Sequence, residues 1–189
     1  MKNSIEPGSI LISKPFIDDT KFEKTIILVV EHNKNGTIGF VINQTTNIEL
    51  YEILNNIKHN NLKLKNGGPV EQNTLFFIHT YPDLIQNSQK IKDGVFWGGN
   101  MEDVIKGLEN DEIKSNQIAF FMGYCGWEPN QLQAEIYDGS WIIHEINIKR
   151  FNETIDWSQL LIEIDEEYKV WATAPSTCKL DEFGEIHLN

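Results

Sequence analysis

The sequence predicts an α+β fold in a single domain, and three observations carry that expectation. Two runs rich in β-branched residues, Thr25–His32 and Thr37–Asn43, flank Asn33-Lys34-Asn35-Gly36. Asn-Gly between apolar runs signals a hairpin, because both residues tolerate positive φ. The pair is therefore expected to be antiparallel, which argues against a simple βαβ dinucleotide fold. Second, a chain of 189 residues fits one domain and can bury about 70% of its unfolded surface. Its 40% hydrophobic and 23% charged residues argue against a disordered chain. Third, no repeat, linker or low-complexity stretch divides it, so 1–189 reads as one unit with a core at about residues 8–175.

The elements follow in order. Gly8–Ser13 is a first strand, stopped by Lys14-Pro15 because proline cannot donate to a ladder. Thr25–His32 reads as a strand buried for most of its length, followed by the hairpin and Thr37–Asn43. Ile48, Tyr51, Ile53, Leu54 and Ile57 approximate helical spacing, so a helix is expected over Ile48–Ile57. Asn66-Gly67-Gly68-Pro69 is a turn leading to the strand Leu75–Thr80, after which Tyr81–Asp93 is polar and irregular. Val95–Trp97 is a short strand, and Asn100 can cap a helix through Leu108 with Met101, Val104, Ile105 and Leu108 on its apolar face. Gln117–Tyr124 is a core strand. Pro129 suits the first turn of a helix to Tyr137, which Gly139 ends. In the strand Ser140–Ile148, Trp141, Ile143 and Glu145 face away from Ile142, His144 and Ile146. Short helices near Asp156–Ile162 and Glu166–Thr173 complete the core, and Lys179–Asn189 is read as a loose tail.

The formal net charge of −12 is unevenly placed. Residues 1–94 hold 10 basic and 10 acidic side chains, whereas residues 95–189 hold 6 and 18. Such a surface repels phosphate backbones, so direct nucleic-acid binding and an anionic membrane are disfavoured. Arg150 is the single arginine, and arginine is the usual fork for phosphates and guanine edges. Met1–Gly8 has no apolar stretch of signal-peptide type, and Cys125 and Cys178 form neither a CxxC pair nor a disulfide scaffold. A reduced, cytoplasmic protein is the expectation.

Five segments occur together: GSILISKPFIDD (Gly8–Asp19), EHNKNGTIGFVIN (Glu31–Asn43), NGGPV (Asn66–Val70), FWGGN (Phe96–Asn100) and GYCGWEPNQLQAEIYDGSW (Gly123–Trp141). In this order they resemble the YqgE/AlgH family of small bacterial proteins, from about Gly8 to Trp171. The resemblance implies an α+β fold whose largely antiparallel sheet curls into a bifurcated pseudo-barrel flanked by helices. It implies no settled activity, although family members are commonly labelled transcriptional regulators. The chain has Asn130 where a glycine commonly precedes Gln-Leu, and Cys125 where alanine is frequent, which argues against an essential thiol.

No catalytic constellation assembles from spacing alone. Glu31-His32 and His144-Glu145 place neighbours on opposite strand faces, so neither pair chelates within itself, and no metal or other cofactor is expected. Cys125 lacks the G-x-C-x-G elbow, and the pairs Gly67-Gly68 and Gly98-Gly99 are neither P-loops nor dinucleotide fingerprints. The Gly123–Trp141 block is the most unusual feature. Gln131 and Glu135 share one helix face at i and i+4, close in sequence to Trp127 and Trp141. Either these groups line a small-molecule or peptide pocket, or the indoles lock helix to sheet while Glu135 is solvated. The candidate binding patch is His32, Asn43, Trp127, Gln131, Glu135 and Trp141.

Three functions remain open. One is a non-enzymatic regulatory or binding protein contacting a protein partner or a small neutral or cationic ligand, its effect on transcription being indirect. Another is a hydrolase or transferase using Glu135, Gln131 and His32, which requires His32, Asn43, Gln131 and Glu135 to converge on one cleft. The third is an oligomer whose Trp and Phe residues cover a subunit interface. The acidic run Glu163–Glu167 is either a solvated helix start or a dock for a basic partner.

Overall fold

A computed structural model describes residues 4–15, 17, 19–54, 57, 62–172, 179–180 and 186–187. Its strands are β1 (Ile10–Ser13), β2 (Ile26–Asn33), β3 (Gly36–Val41), β4 (Thr45–Glu49), β5 (Lys63–Asn66), β6 (Val70–His79), β7 (Gln89–Lys92), β8 (Val95–Trp97), β9 (Ile118–Trp127) and β10 (Trp141–His144). Its helices are α1 (Leu50–Ile53), α2 (Met101–Glu109), α3 (Gln131–Tyr137), α4 (Trp157–Ile164) and α5 (Lys169–Ala172). The ten strands form one sheet in the order β10-β1-β2-β3-β9-β6-β8-β7, with β4 and β5 branching from β9. Every pairing is antiparallel except that of β5 with β9.

The fork arises because β9 is long. Its first half pairs with β5 and β6, while its last residues pair with β3 through Thr37↔Trp127 and Gly39↔Cys125. The sheet then curls, so that Ile91 of β7 packs in the same cluster as Ile10 and Ile12 of β1. Lys92 of β7 lies against Gly8 and pairs with Glu6 at 3.6 Å, yet no ladder joins β7 to β10. This is the open, bifurcated pseudo-barrel.

Strand alternation sorts the core. Ile10, Ile12, Ile26 and Leu28 face the barrel interior, which α4 covers with Trp157, Leu160 and Leu161. Leu11, Ile27 and Val29 face outward, under Leu132 of α3. On the other half of the sheet, Ile118 and Phe120 pack beneath Val104 of α2. Within β9 the parity changes at Gly123. Ala119 and Phe121 point inward before it, as does Tyr124 after it, and Cys125 and Trp127 point outward. Gly123 has φ 72°, and a Cβ there would stand 2.6 Å from the Gly68 carbonyl oxygen, so the bulge needs glycine.

Several expectations are corrected. The hairpin is present, but positive φ falls at Gly36 (135°), while Asn33 Oδ1 accepts from the Asn35 N–H at 2.7 Å. A Cβ at Gly36 would lie 2.3 Å from the Trp127 carbonyl oxygen, so close strand approach also selects glycine there. The helix expected over Ile48–Ile57 is only one turn, because Thr45–Glu49 is a strand held by β5 and Ile48 is exposed. Residues 55 and 56, near the end of that segment, lie outside the described ones. β7 falls in a stretch read as irregular, and Ile148 opens a 3-10 turn, Ile148–Asn152, rather than extending β10. Asn100 caps α2 as expected, accepting from the Glu102 N–H at 2.9 Å, and Asp156 caps α4. At the tail, Lys179–Leu180 pairs with Ile186–His187, and residues 181–185 and 188–189 lie outside the described residues. Thr173 and Cys178 lie outside them as well.

Candidate functional site

The Gly123–Trp141 block forms a clamp. β9 delivers Trp127, β10 delivers Trp141, and α3 crosses between them with Leu132 fully buried. Both indole N–H groups donate to Glu135 Oε2, each at 2.8 Å, and Gln131 Nε2 donates to Glu135 Oε1 at 2.9 Å. Gln131 Oε1 in turn accepts the Glu128 N–H at 2.9 Å, tying the start of α3 to the end of β9. The indoles meet edge to face at 6.1 Å, and Phe22 packs on both. The indoles do lock helix to sheet, but Glu135 is half-buried and is their common acceptor rather than solvated.

The structure thus brings together Trp127, Gln131, Glu135 and Trp141 and places His32 and Asn43 apart from them. His32 Nδ1 meets Thr37 Oγ1 at 2.7 Å, and its Nε2 meets Gln133 Nε2 at 3.3 Å. Asn43 accepts the Ile26 N–H and donates to the Lys24 carbonyl, each at 2.9 Å, so its amide serves the start of β2. No hydrogen bond joins either side chain to Glu135. Cys125 is fully buried with its thiol directed at the Gly67 carbonyl oxygen at 3.5 Å, and burial pushes its pKa up. Among the described residues, no group of three or more His, Cys, Asp and Glu side chains could hold a metal ion.

Two buried bases lie outside the clamp. Lys65 is 4% exposed, and its Nζ donates to the carbonyls of Ile42, Phe151 and Glu153 at 2.6, 3.0 and 3.1 Å. It staples the 3-10 turn Ile148–Asn152 to the sheet fork, and desolvation lowers its pKa to about 8 against the opposing pull of Glu153. His79 is fully buried with Nε2 on the Gly98 carbonyl and Nδ1 accepting the Tyr81 N–H, and burial lowers its pKa.

An open groove of ≈ 300 Å³ lies beside the clamp, at one mouth of the pseudo-barrel. Its walls come from the hairpin (Glu31, Asn33, Asn35) and from Trp127-Glu128; Ile38, Val70 and Tyr124 supply its apolar surface. Glu31, Ile38 and Gly126 form one cross-strand row, since Glu31 pairs with Ile38 and Ile38 with Gly126. The Tyr124 ring occupies the space over Gly126, where a Cβ would lie 3.1 Å from Tyr124 Cε2. Its edge contacts Phe76 at 5.5 Å, while its hydroxyl and the Glu128 carboxylate have no hydrogen-bond or ion-pair partner among the described residues. Among the described residues, no lysine or arginine lines the groove. Sequence reading missed the groove. The available signal was the glycine pair Gly36 and Gly126, whose need becomes visible only once β3 and β9 are adjacent.

Residues 10–176 match the model of a family described as AlgH-like. A UPF0301 protein of Cytophaga hutchinsonii is 33% identical over 178 residues, covering 92% of this chain and 98% of the relative. Another, from Bacteroides fragilis, is 33% identical over 185 residues, covering 95% and 94%. Among solved structures, the crystal structure of protein DIP2367 from Corynebacterium diphtheriae superposes with a TM-score of 0.72 at 19% identity, covering 92% of this chain and 95% of that one. The solution structure of the AlgH protein from Pseudomonas aeruginosa gives a TM-score of 0.69 at 24% identity, covering 93% and 99%. At those identities the two structures support the fold alone. No helix among the described residues is long and apolar enough to cross a membrane.

Proposed function

We propose, from the premise that this chain belongs to the AlgH-like family, that it is a non-catalytic binding protein whose recognition surface is the barrel mouth. One observation carries the reading. The groups that sequence reasoning offered for chemistry are consumed by structure, with Glu135 holding two indoles and Gln131, while the neighbouring groove keeps a carboxylate and a phenol unengaged among the described residues. A groove with an apolar floor and a polar rim is the usual form of a recognition site, and barrel mouths are a favoured place for one. The acidic surroundings favour a neutral or cationic partner. Any effect on transcription would pass through that partner, in a cytoplasmic setting.

The test is affinity capture from the native lysate, scored for proteins and small molecules, with wild type and a mouth-blocked Gly126→Leu variant of matched circular dichroism. A species retained by wild type and lost from the variant supports the reading. Identical captures from the two proteins would remove it.

A further inference from the structure

We infer that the barrel mouth receives the guanidinium of an arginine side chain of a partner protein. This rests on the mouth being the recognition surface and names the chemistry it takes. In the row Glu31–Ile38–Gly126, adjacent strands are about 4.8 Å apart, so Glu31 and the ring over Gly126 bracket Ile38 at roughly 10 Å. An apolar stem can lie on Ile38 and Val70 while its head reaches the Tyr124 ring and the carboxylates of Glu31 and Glu128. A planar fork suits this set better than a compact ammonium, because it stacks on an aromatic face and still donates sideways to carboxylates and a phenol oxygen.

Charge separates this occupant from the others. Among the described residues, two carboxylates and no basic side chain line the mouth, and the second half of the chain carries all the excess negative charge, so anions are repelled and cations are drawn in. A second copy of the chain is a poor donor. Its single arginine, Arg150, is already paired with Glu153 at 2.7 Å.

The experiment titrates the full chain with acetyl-Gly-Arg-Gly-amide and with the citrulline analogue, which keeps the shape and loses the charge, following amide NMR shifts. Saturable shifts at Gly36, Thr37 and Gly126 are expected, with citrulline at least tenfold weaker. Glu128→Gln and Glu31→Gln should each weaken the arginine peptide several-fold. Gly126→Ala, which moves the Tyr124 ring without changing charge, should do the same, whereas Glu102→Gln on α2 should leave binding unchanged. Equal affinity for the two peptides overturns the arginine inference and leaves the mouth as the recognition surface. Shifts centred elsewhere, or no saturable shift into the millimolar range, overturn it too. Failure of the mouth itself shows separately, as lysate capture indifferent to Gly126→Leu.

Discussion

Trp127 and Trp141 donate their indole N–H groups to the same oxygen of Glu135, each at 2.8 Å, although they lie on strands not adjacent in the sheet. One carboxylate on a short helix therefore joins β9 to β10 across β1, β2 and β3. Charge-assisted bonds of this kind are stronger than neutral ones, and their loss leaves two nearly buried donors without partners.

Glu135→Ala should accordingly lower stability by about 2–4 kcal/mol, while Glu135→Gln, which keeps an acceptor oxygen, should cost about half as much. Urea denaturation gives the difference, and tryptophan emission should shift to the red in the alanine variant. An unchanged midpoint would show that the indole bonds contribute nothing net.

Lys65 sets a pH dependence whose sign follows from its burial. Its pKa falls to about 8 from the ordinary 10.5, so the unfolded chain holds the proton longer. Stability therefore rises with pH between about 8 and 10.5, and the gain is lost as pH falls through 8. The full linkage amounts to roughly 3–4 kcal/mol at about 1.4 kcal/mol per pH unit. Urea midpoints across that window should rise for wild type relative to Lys65→Met, which has no titration there.

Gly123→Ala should cost more than about 2 kcal/mol, from the left-handed backbone together with contact against the Gly68 and Val70 carbonyls at 2.6 and 2.7 Å. Because Gly123 resets the parity of β9, the variant should also disturb the near-ultraviolet signal of Trp127, at the end of the same strand. A midpoint within error of wild type would mean that β9 can bulge without glycine.

What the sequence could reveal divides along the range of the interactions. The hairpin, the Asn100 cap, the helix near Asp156 and the alternation of Trp141, Ile142 and Ile143 are local patterns, and each appears where expected. Ile48 misled because its helical spacing is real, yet Thr45, Thr46 and Ile48 are also good strand residues, and pairing with β5 decides between them. β5 (KLKN) and β7 (QKIK) each carry a single apolar residue between lysines, so neither leaves the apolar run that marks a strand. At the site, the shared face of Gln131 and Glu135 was legible from i, i+4 spacing, but a carboxylate common to two indoles depends on two strands meeting one helix. The mouth was invisible for the same reason, its row crossing three strands.

Cys125 offers the last test, because its surroundings forbid the chemistry its position beside Gly126 invites. The thiol is fully buried among Val41, Trp127 and Leu132, and burial raises its pKa, so the reactive thiolate is scarce in the native state. In a Cys178→Ser background, the remaining thiol should resist a disulfide-exchange reagent until the protein unfolds. Its labelling rate should then follow the unfolding rate across a urea series, the behaviour of a group exposed only by opening. Rapid labelling in native buffer would place Cys125 at an accessible surface and return it to consideration as a nucleophile.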